Sequence, residues 1–457
     1  MGTKATKSTS LTEGSIAKKI IGFAIPLFLG NLFQQMYNMA DSLIVGNFLG
    51  DAALASVTST GSLIFLLVGF FNGTAMGAGV VIGRYFGARD YERVKKAVHT
   101  DVAFGLIAGV LMTIIGVCFT PIILQWMGTP VDVLPNSILY LRVYFLGSIA
   151  SIMYNICMGI LQAIGDSKHP LYYLIFSSCV NVALDLLFCG VFRLGVQYAA
   201  LATIISQFLS VILCMSRLMR VQDVYQIQLK EVRIHPEMLR QILTLGLPSG
   251  MQNSIISLAN IVVQSNINAF GTAAMAGCGS YSKIEGFGFL PITCFTMALT
   301  TFVSQNIGAK QYDRVKKGAI FGVACTLILA ETVGIIIYNF APELISMFGG
   351  DAHTISYGVL QAHTVTLFYF LLAFSHSAAA ILRGAGKSTI PMYVMLISWC
   401  LIRITYITIV GKLFDNIQLI FMAYPITWTI STVIFMIYLF KVDWIHNFER
   451  QELKGCA

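Results

Sequence analysis

Charged residues are scarce in this sequence. Asp, Glu, Lys and Arg make up 11% of its 457 residues, whereas they make up about 25% of an ordinary soluble domain. Hydrophobic residues account for 56% of the chain, and its mean hydropathy is +0.77. This balance excludes an ordinary soluble protein and predicts a chain that crosses the membrane several times.

The short motifs of common enzymes are also absent. The sequence has no Walker phosphate loop, no GxGxxG after a strand, no HExxH and no nucleophile elbow. Its ten cysteines include no CxxC pair, and His363 and His376 have no Asp, Glu or Cys at a ligand spacing. We therefore expect a protein that is not an enzyme and has no cofactor, so that any energy for transport comes from an ion gradient or a partner.

Apolar stretches long enough to cross a bilayer occur twelve times. The predicted spans lie near 20–45, 54–83, 97–120, 136–164, 170–191, 196–219, 239–265, 274–304, 318–340, 355–382, 391–411 and 417–440. All but five of the 29 Lys and Arg residues fall at the termini or in alternate loops. By the positive-inside rule, both termini are expected in the cytoplasm, and the net charge of +8 needs no nucleic-acid partner. The compact chain favours a bacterial inner membrane.

An internal repeat divides the chain. RYFGARDYERVKKAV at 84–98 returns 221 positions later as QNIGAKQYDRVKKGA at 305–319. A repeat that begins after six spans keeps the same orientation, which predicts two pseudo-symmetric six-helix lobes of the kind found in transporters. The predicted boundaries are 1–220 for the N-terminal lobe, 221–238 for a cytoplasmic linker and 239–457 for the C-terminal lobe.

The first predicted helix carries an acid deep in apolar surroundings. Placing the charge of Asp41 at the centre of a bilayer costs roughly 2.5–3.5 kcal/mol, so this residue is a candidate functional site. Gln34 and Tyr37 share its helix face, because the spacings are three or four residues. Pro26 removes a backbone hydrogen bond and favours a bend. The structural alternative is a neutral Asp in helix packing beside a proline kink.

A second acid lies on the fifth predicted helix. Asn181 and Asp185 share one helix face, while Thr203 on helix six and Asn155 on helix four could complete a polar cluster. Two carboxylates in one apolar cavity cannot both be comfortably ionised, so one is expected to hold a proton near neutral pH. Such a pair suits a proton or a small cation such as Na⁺. The alternative is an Asp–Asn hydrogen bond that ties helices together.

The second half of the chain differs from the first. Its candidate residues are Asn253, Asn260 and Gln264 on helix seven and Glu285 on helix eight. The repeat places Val263 opposite Asp41 and Tyr406 opposite Asp185, so the acid pair belongs to the first half only. For Glu285, the sequence leaves open an ion pair with Arg403 or Lys283 and a second coupling site.

These residues resemble those of the multidrug and toxin extrusion (MATE) transporters. The resemblance rests on the two six-helix halves, on Pro26 followed by Asp41, on the repeated G-A-[RK]-x-Y-[ED]-R-V-K-K loops and on the NxxxD pattern ending at Asp185. It covers almost the whole chain, and the first-half acids are most similar to the DinF-like branch. The resemblance implies an all-α MATE/MOP-like fold and alternating access. It also implies export of amphipathic or cationic compounds in exchange for H⁺ or Na⁺.

For the site residues, the resemblance implies an ion-linked cluster at Asp41, Asn181, Asp185 and Thr203, with Tyr37 nearby. A sodium site in the second lobe would require an acid on helix ten, which this sequence lacks. Two other functions stay open: a flippase for lipid-linked saccharides, which would favour a cationic cavity, and a non-transporting receptor or membrane enzyme. The expected partners are small molecules and the lipid bilayer, and the expected state is a monomer.

Overall fold

The computed structural model describes residues 10–126, 133–414 and 416–446, which form helices joined by short turns, without a strand in those ranges. In the first half the helices are α1 (Ile16–Leu49), α2 (Asp51–Gly87), α3 (Tyr91–Trp126), α4 (Leu134–Leu146), α5 (Ser148–Ala163), α6 (Lys168–Asp185) and α7 (Gln197–Arg220). The second half contains α8 (Pro236–Asn268), α9 (Thr272–Gly308), α10 (Tyr312–Asn339), α11 (Ala341–Ser346), α12 (Ala352–Val365), α13 (Tyr369–Gly384), α14 (Thr389–Met395), α15 (Arg403–Leu413), α16 (Ile417–Phe421) and α17 (Ala423–Lys441).

Many of these helices are long and apolar enough to cross a bilayer. Nine such spans occur in the described ranges, or ten if α4 and α5, which meet at 47°, count as one broken span. The predicted spans 54–83 and 239–265 lie on α2 and α8, which have 37 and 33 residues. The prediction of an all-α, multi-pass membrane protein is confirmed, and the structure is consistent with twelve spans.

The internal repeat is visible in the backbone as well as in the sequence. Positive φ angles recur at the same offset of 221 residues, at turns that follow equivalent helices. The pairs are Gly50 (85°) with Gly271 (99°), Arg89 (58°) with Lys310 (57°), and Gly165 (91°) with Gly386 (78°). Glycine adopts positive φ angles without steric cost, so the two glycine pairs at this spacing explain why each half repeats the same turns there; Arg89 and Lys310 show that the third turn also repeats without a glycine.

The predicted fourth helix is interrupted at Gly147. This residue separates α4 from α5, and a Cβ atom there would lie 2.3 Å from Cγ1 of Ile204. Only glycine allows α7 to approach so closely. The interruption gives α4 and α5 different directions within what the sequence predicts as a single span.

Helices α2 and α8 cross at two pairs of glycines. A Cβ atom on Gly73 would lie 2.2 Å from the backbone nitrogen of Gly250, and one on Gly77 would lie 2.3 Å from that of Gly246. Each pair of glycines on one helix is four residues apart, so both face the same partner. This is the small-residue packing by which membrane helices bring their backbones into contact.

The chain packs into two compact units. One is Ile25–Gly250; the other comprises Leu11–Ala24 and the described residues from Met251 onward. The division therefore falls inside two continuous helices, α1 and α8, next to Pro26 and Pro248. The predicted lobes 1–220 and 239–457 follow the sequence repeat instead, and their boundaries stay a prediction.

Candidate ion-binding site

Helices α1 and α6 bring the two acids of the first half together. The side chains of Asp41 and Asp185 interact electrostatically with each other; Asp185 is fully buried and Asp41 is half-buried. Within the described residues, no donor group reaches either oxygen of Asp185 or Oδ1 of Asp41. Because ionised carboxylates only accept hydrogen bonds, a bond between these two groups requires a proton on one of them.

Asn181 adds a further acceptor to this site. It lies one helical turn before Asp185 on α6 and is 1% exposed. Its Nδ2 donates to Oγ1 of Thr203 at 3.4 Å, and Thr203 in turn donates to the backbone oxygen of Ala199 at 3.2 Å. The Asn181 Oδ1 receives no hydrogen bond from the described residues. The site is thus rich in buried acceptors and poor in donors, which is costly unless a proton or cation binds.

Tyrosine side chains line the surroundings of the two acids. The Tyr37 hydroxyl interacts with the side chain of Gln34, and Tyr37 lies within electrostatic range of Asp41 and Asp185. Tyr140 of α4 lies near the same two acids and is 5% exposed. Tyr140 is buried, whereas Tyr37 and Asp41 are half-buried, so the two tyrosines place aromatic rings with polar hydroxyls near the carboxyl groups.

Further polar groups tie α4, α5 and α7 together beside the site. The Tyr144 hydroxyl interacts with the side chains of Ser151 and Gln207, and the Ser151 hydroxyl donates to Oε1 of Gln207. The sequence analysis did not select Tyr140 or Tyr144, although their spacing of four residues places them on one face of α4. That shared face was the signal available in the sequence.

Asn155 makes a different contact from the one expected. Its Nδ2 donates to the backbone oxygen of Ser151 at 2.8 Å, within α5 itself. This bond follows the local i to i−4 pattern of polar residues in helices. The contacts shown for Asn155 therefore do not join it to the acid pair, whereas Asn181, one turn before Asp185, contacts Thr203.

Helix α6 changes geometry directly after the second acid. The segment Leu186–Val191 is π-helical, and the amide of Phe192 donates to the oxygen of Leu187 at 2.9 Å, five residues back. π-helical turns are uncommon and often occur at functional sites. Asp185 is the last α-helical residue before this turn, so its carboxyl group lies where the helix path shifts.

The single acid of α9 lies in a different environment. Both Tyr281 and Tyr369 donate from their hydroxyls to Oε1 of Glu285, each at 3.3 Å. The two hydroxyl oxygens lie 2.9 Å apart, and the two rings are almost completely buried. Glu285 thus has local donors that the acid pair of the first half lacks.

A buried cation lies within electrostatic range of Glu285. Arg403 is 2% exposed and interacts with Glu285. Its Nε and Nη2 donate to Oγ1 of Thr427 at 3.3 and 2.9 Å, and its guanidinium lies 4.7 Å from the ring centre of Tyr424. Lys283 is instead exposed and lies over the ring of Phe348, so Arg403 supplies the opposite charge.

The remaining second-half candidates are dispersed along α8. Ser257 donates to the backbone oxygen of Asn253 at 2.9 Å, Gln264 donates to Oδ1 of Asn268 at 2.8 Å, and Asn260 is exposed.

On α12 and α13, His363 contacts the oxygen of Tyr338, and His376 lies between the rings of Phe289 and Trp399. Among the described residues, no group of three His, Cys, Asp or Glu is placed to hold a metal ion.

Comparison with known families gives two matches to one family model. The model described as MatE matches residues 26–187 and again 248–409. The chain belongs to the MatE family. The second match begins 222 residues after the first, so the two repeats found in the sequence are two copies of the MatE domain.

Relatives within the MatE family carry names related to drug resistance. The chain is 31% identical to the "Probable multidrug resistance protein YoeA" of Bacillus subtilis (strain 168), over 84% of this chain and 85% of the relative. It is 25% identical to the "Probable multidrug resistance protein NorM" of Thermotoga maritima, over 88% and 87%. These matches confirm the family predicted from the sequence, while its DinF-like branch stays a prediction.

Solved structures confirm the MatE fold. An outward-facing multidrug resistance MATE family transporter of the MOP superfamily matches with a TM-score of 0.89 and 24% identity, covering 95% of this chain and 97% of that one. At this identity the match supports the fold alone. Members of the family are transporters, which agrees with the lack of enzyme motifs in the sequence.

Proposed function

We propose that this chain is a secondary active multidrug exporter that exchanges H⁺ or Na⁺ for amphipathic or cationic organic compounds. The names of the relatives support export of drugs. The ion coupling is supported by one observation above all: in the Asp41–Asp185 pair, both oxygens of Asp185 and Oδ1 of Asp41 lack hydrogen-bond donors within the described residues. In apolar surroundings such a pair gains stability from a bound proton or cation.

The two acids lie on different helices, so ion binding between them can change how those helices interact. Asp41 is on α1, which has Pro26 in its interior, and Asp185 ends the α-helical part of α6. Neutralising the pair changes the attraction and hydrogen bonding between these helices, and Pro26 gives α1 a position at which bending costs little. Ion and drug are coupled when each favours a different conformation of the protein.

The coupling ion is either H⁺ or Na⁺. A proton needs only the two carboxyl groups. For Na⁺, the hard oxygen atoms of Asp41, Asp185, Asn181 and Thr203 would form the binding site, since carboxylate, amide and hydroxyl oxygens suit hard cations. Cytoplasmic termini fit the distribution of positive charge, and the protein is proposed to act as a monomer in a bacterial inner membrane.

The test is efflux of a fluorescent organic cation from proteoliposomes. Wild type is compared with Asp41→Asn under an imposed pH gradient and, separately, an imposed sodium gradient. Asp313→Asn is the matched control, because it is the same chemical change at an exposed position on α10. We expect efflux driven by one of the two gradients in wild type and Asp313→Asn, and its loss in Asp41→Asn.

Correct folding of each variant is checked by its thermal unfolding profile in detergent. Gradient-driven efflux by Asp41→Asn at the wild-type rate would contradict the assigned ion site. Absence of efflux under both gradients in wild type would contradict the antiport proposal. The flippase alternative would then be tested with a lipid-linked saccharide as substrate.

A further inference from the structure

The segment between α7 and α8 forms one wall of a pocket in the first compact unit. This linker and the first turns of α3 enclose a cavity of about 330 Å³. Four lining residues come from α3 and four from the linker, and all eight are charged residues or histidines. Such a lining is unusual in a chain with 11% charged residues, so the pocket differs in chemistry from the rest of the molecule.

Both carboxylates of the pocket are engaged in ion pairs. Nζ of Lys96 lies 2.8 Å from Glu92, and Nζ of Lys95 lies 2.5 Å from Glu231. The hydrogen bond from Lys95 lowers the pKa of Glu231, so this carboxylate stays ionised at neutral pH. Among the lining residues, the positive charges of Lys230 and Arg233 are then left without an acidic counterpart, and the pocket has a net positive charge.

The His99 ring and the backbone amide of His235 fix the linker against α3. The amide of Gln228 donates to Nε2 of His99 at 3.0 Å, while Nδ1 of the same ring lies 2.7 Å from the oxygen of Lys95. Nε2 must therefore be the acceptor and Nδ1 the donor, which is the neutral form of the ring. At the other end, the amide of His235 donates to Oγ1 of Thr100 at 3.1 Å. The walls are thus held in place by protein contacts.

His235 adds no charge to the pocket. Burial, with further effects from Arg233 and Lys96, lowers the pKa of its ring, so the ring is neutral at pH 7. Its Nε2 lies 3.4 Å from Nε of Arg233, which donates to it. This contact orients the guanidinium while leaving its two terminal nitrogens available, the geometry that suits a bidentate contact with phosphate.

Exposed apolar side chains lie beside the two cations that lack an acidic counterpart. Leu229, next to Lys230, is 61% exposed, and Ile234, next to Arg233, is 39% exposed. Basic residues interleaved with exposed apolar ones are typical of segments at the bilayer interface, where the apolar groups enter the acyl boundary. At the cytoplasmic surface of a membrane, the anions at that depth are lipid headgroups.

We propose that the pocket between the linker and α3 binds the phosphate group of an anionic phospholipid, with Lys230 and Arg233 as its principal ligands. Bound phosphate would be held by the linker that precedes α8, in the pocket that this linker forms with α3. The site is separate from the Asp41–Asp185 pair, and its occupation can be measured without transport.

The repeat supplies an internal control. Lys316 and Lys317 of α10 are the counterparts of Lys95 and Lys96, and the segment before α1 takes the place of the linker beside them. Arg314 binds that segment, donating to the oxygens of Gly14 at 2.6 Å and Leu11 at 3.1 Å. This segment, 11–15, contains no Lys or Arg, so it lacks the counterpart of Lys230 and Arg233.

The experiment measures thermal unfolding of the full chain in detergent with added ligand. The probes are phosphatidylglycerol, zwitterionic phosphatidylcholine, and soluble glycerol phosphate. The double variant K230Q/R233Q is compared with wild type and with K316Q/K317Q, which loses the same charge from the other repeat. All four side chains are exposed, so we expect both double variants to fold. Each variant is first checked for an unfolding transition like that of wild type.

We expect phosphatidylglycerol to raise the Tm of wild type and K316Q/K317Q, and phosphatidylcholine to have no such effect. In K230Q/R233Q the apparent affinity for phosphatidylglycerol should fall roughly thirtyfold, because each basic residue near an anionic surface contributes about 1 kcal/mol. An equal Tm rise in both double variants, or none with any probe in wild type, would overturn the site. A rise with soluble glycerol phosphate equal to that with phosphatidylglycerol would overturn the lipid as its source.

Discussion

Two acidic sites on the helices of this protein differ in what surrounds the acid. The Asp41–Asp185 pair has carboxyl oxygens without donors from the described residues. Glu285 instead accepts hydrogen bonds from two tyrosines and lies within range of Arg403. A carboxylate whose negative charge is balanced by hydrogen-bond donors and a nearby cation gains little stability from binding an ion. A carboxylate pair without such partners is stabilised by a bound ion. From this comparison we propose ion coupling at the first site and structural support at the second.

The largest effect expected from this comparison is on transport. Asp185→Asn should lower gradient-driven efflux by at least about tenfold, in the range of typical coupling free energies, because it removes half of the pair. Glu285→Gln should keep the dependence on the gradient. Efflux assays in proteoliposomes check both variants side by side. The reverse outcome, with Glu285→Gln uncoupled and Asp185→Asn coupled, would exchange the roles of the two sites.

Stability should respond most strongly at Arg403. Arg403→Gln removes the buried positive charge near Glu285 and should lower the free energy of unfolding by up to about 3 kcal/mol. Thermal unfolding in detergent measures the loss. Adding Glu285→Gln to the same chain should recover part of it, because the acid no longer needs a partner. If the two losses simply add, the two residues are not energetically coupled.

A smaller loss of stability is expected from one tyrosine hydroxyl. Tyr281→Phe removes one of the two donors to Glu285 and should cost about 1.5 kcal/mol, as for other hydrogen bonds to charged groups. Tyr172→Phe is the control, because Tyr172 is 59% exposed. Equal Tm values for the two variants would show that the hydroxyls do not support Glu285.

The smallest expected effect is the change in the free energy of unfolding when one acid of the pair is neutralised. Asp41→Asn should leave the free energy of unfolding unchanged or raise it by about 1 kcal/mol, since it replaces a buried ionisable group with a neutral one of similar size. The measurement is the Tm of purified Asp41→Asn beside that of wild type. A marked decrease would mean that the pair holds the helices together, which is the structural alternative.

Much of the fold can be read from the sequence because its signals are strong and repeated. Apolar stretches longer than a bilayer predict spans, and the offset of 221 residues predicts two equivalent halves. The interruption at Gly147 has no such signal, since it is one of 40 glycines. Its role depends on the approach of Ile204, a residue distant in the sequence that only the folded chain brings near.

The site could be predicted only in part. Asp41 and Asp185 stand out because an acid in an apolar helix is costly, and helical spacing places Asn181 beside Asp185. Spacing within one helix cannot say which helices become neighbours, so the contacts of Asn155 within α5 and the position of Tyr140 required the structure. Tyrosine is also a poor signal in a membrane protein, because its ring is as compatible with lipid as with a site.

The crossing of α2 and α8 has a mechanical consequence. Gly73 and Gly77 meet Gly246 and Gly250 backbone to backbone, so this contact has no side-chain ridges to interlock in the way that fixes most crossing angles. A rotation of one helix against the other there would therefore separate few interlocked side chains, with the Phe70 ring the side chain beside Gly250. The four glycines thus form a flat contact between the two backbones. A single added methyl group, such as the Cβ atom of an alanine at Gly73, would force the helices apart, because it would lie 2.2 Å from the nitrogen of Gly250.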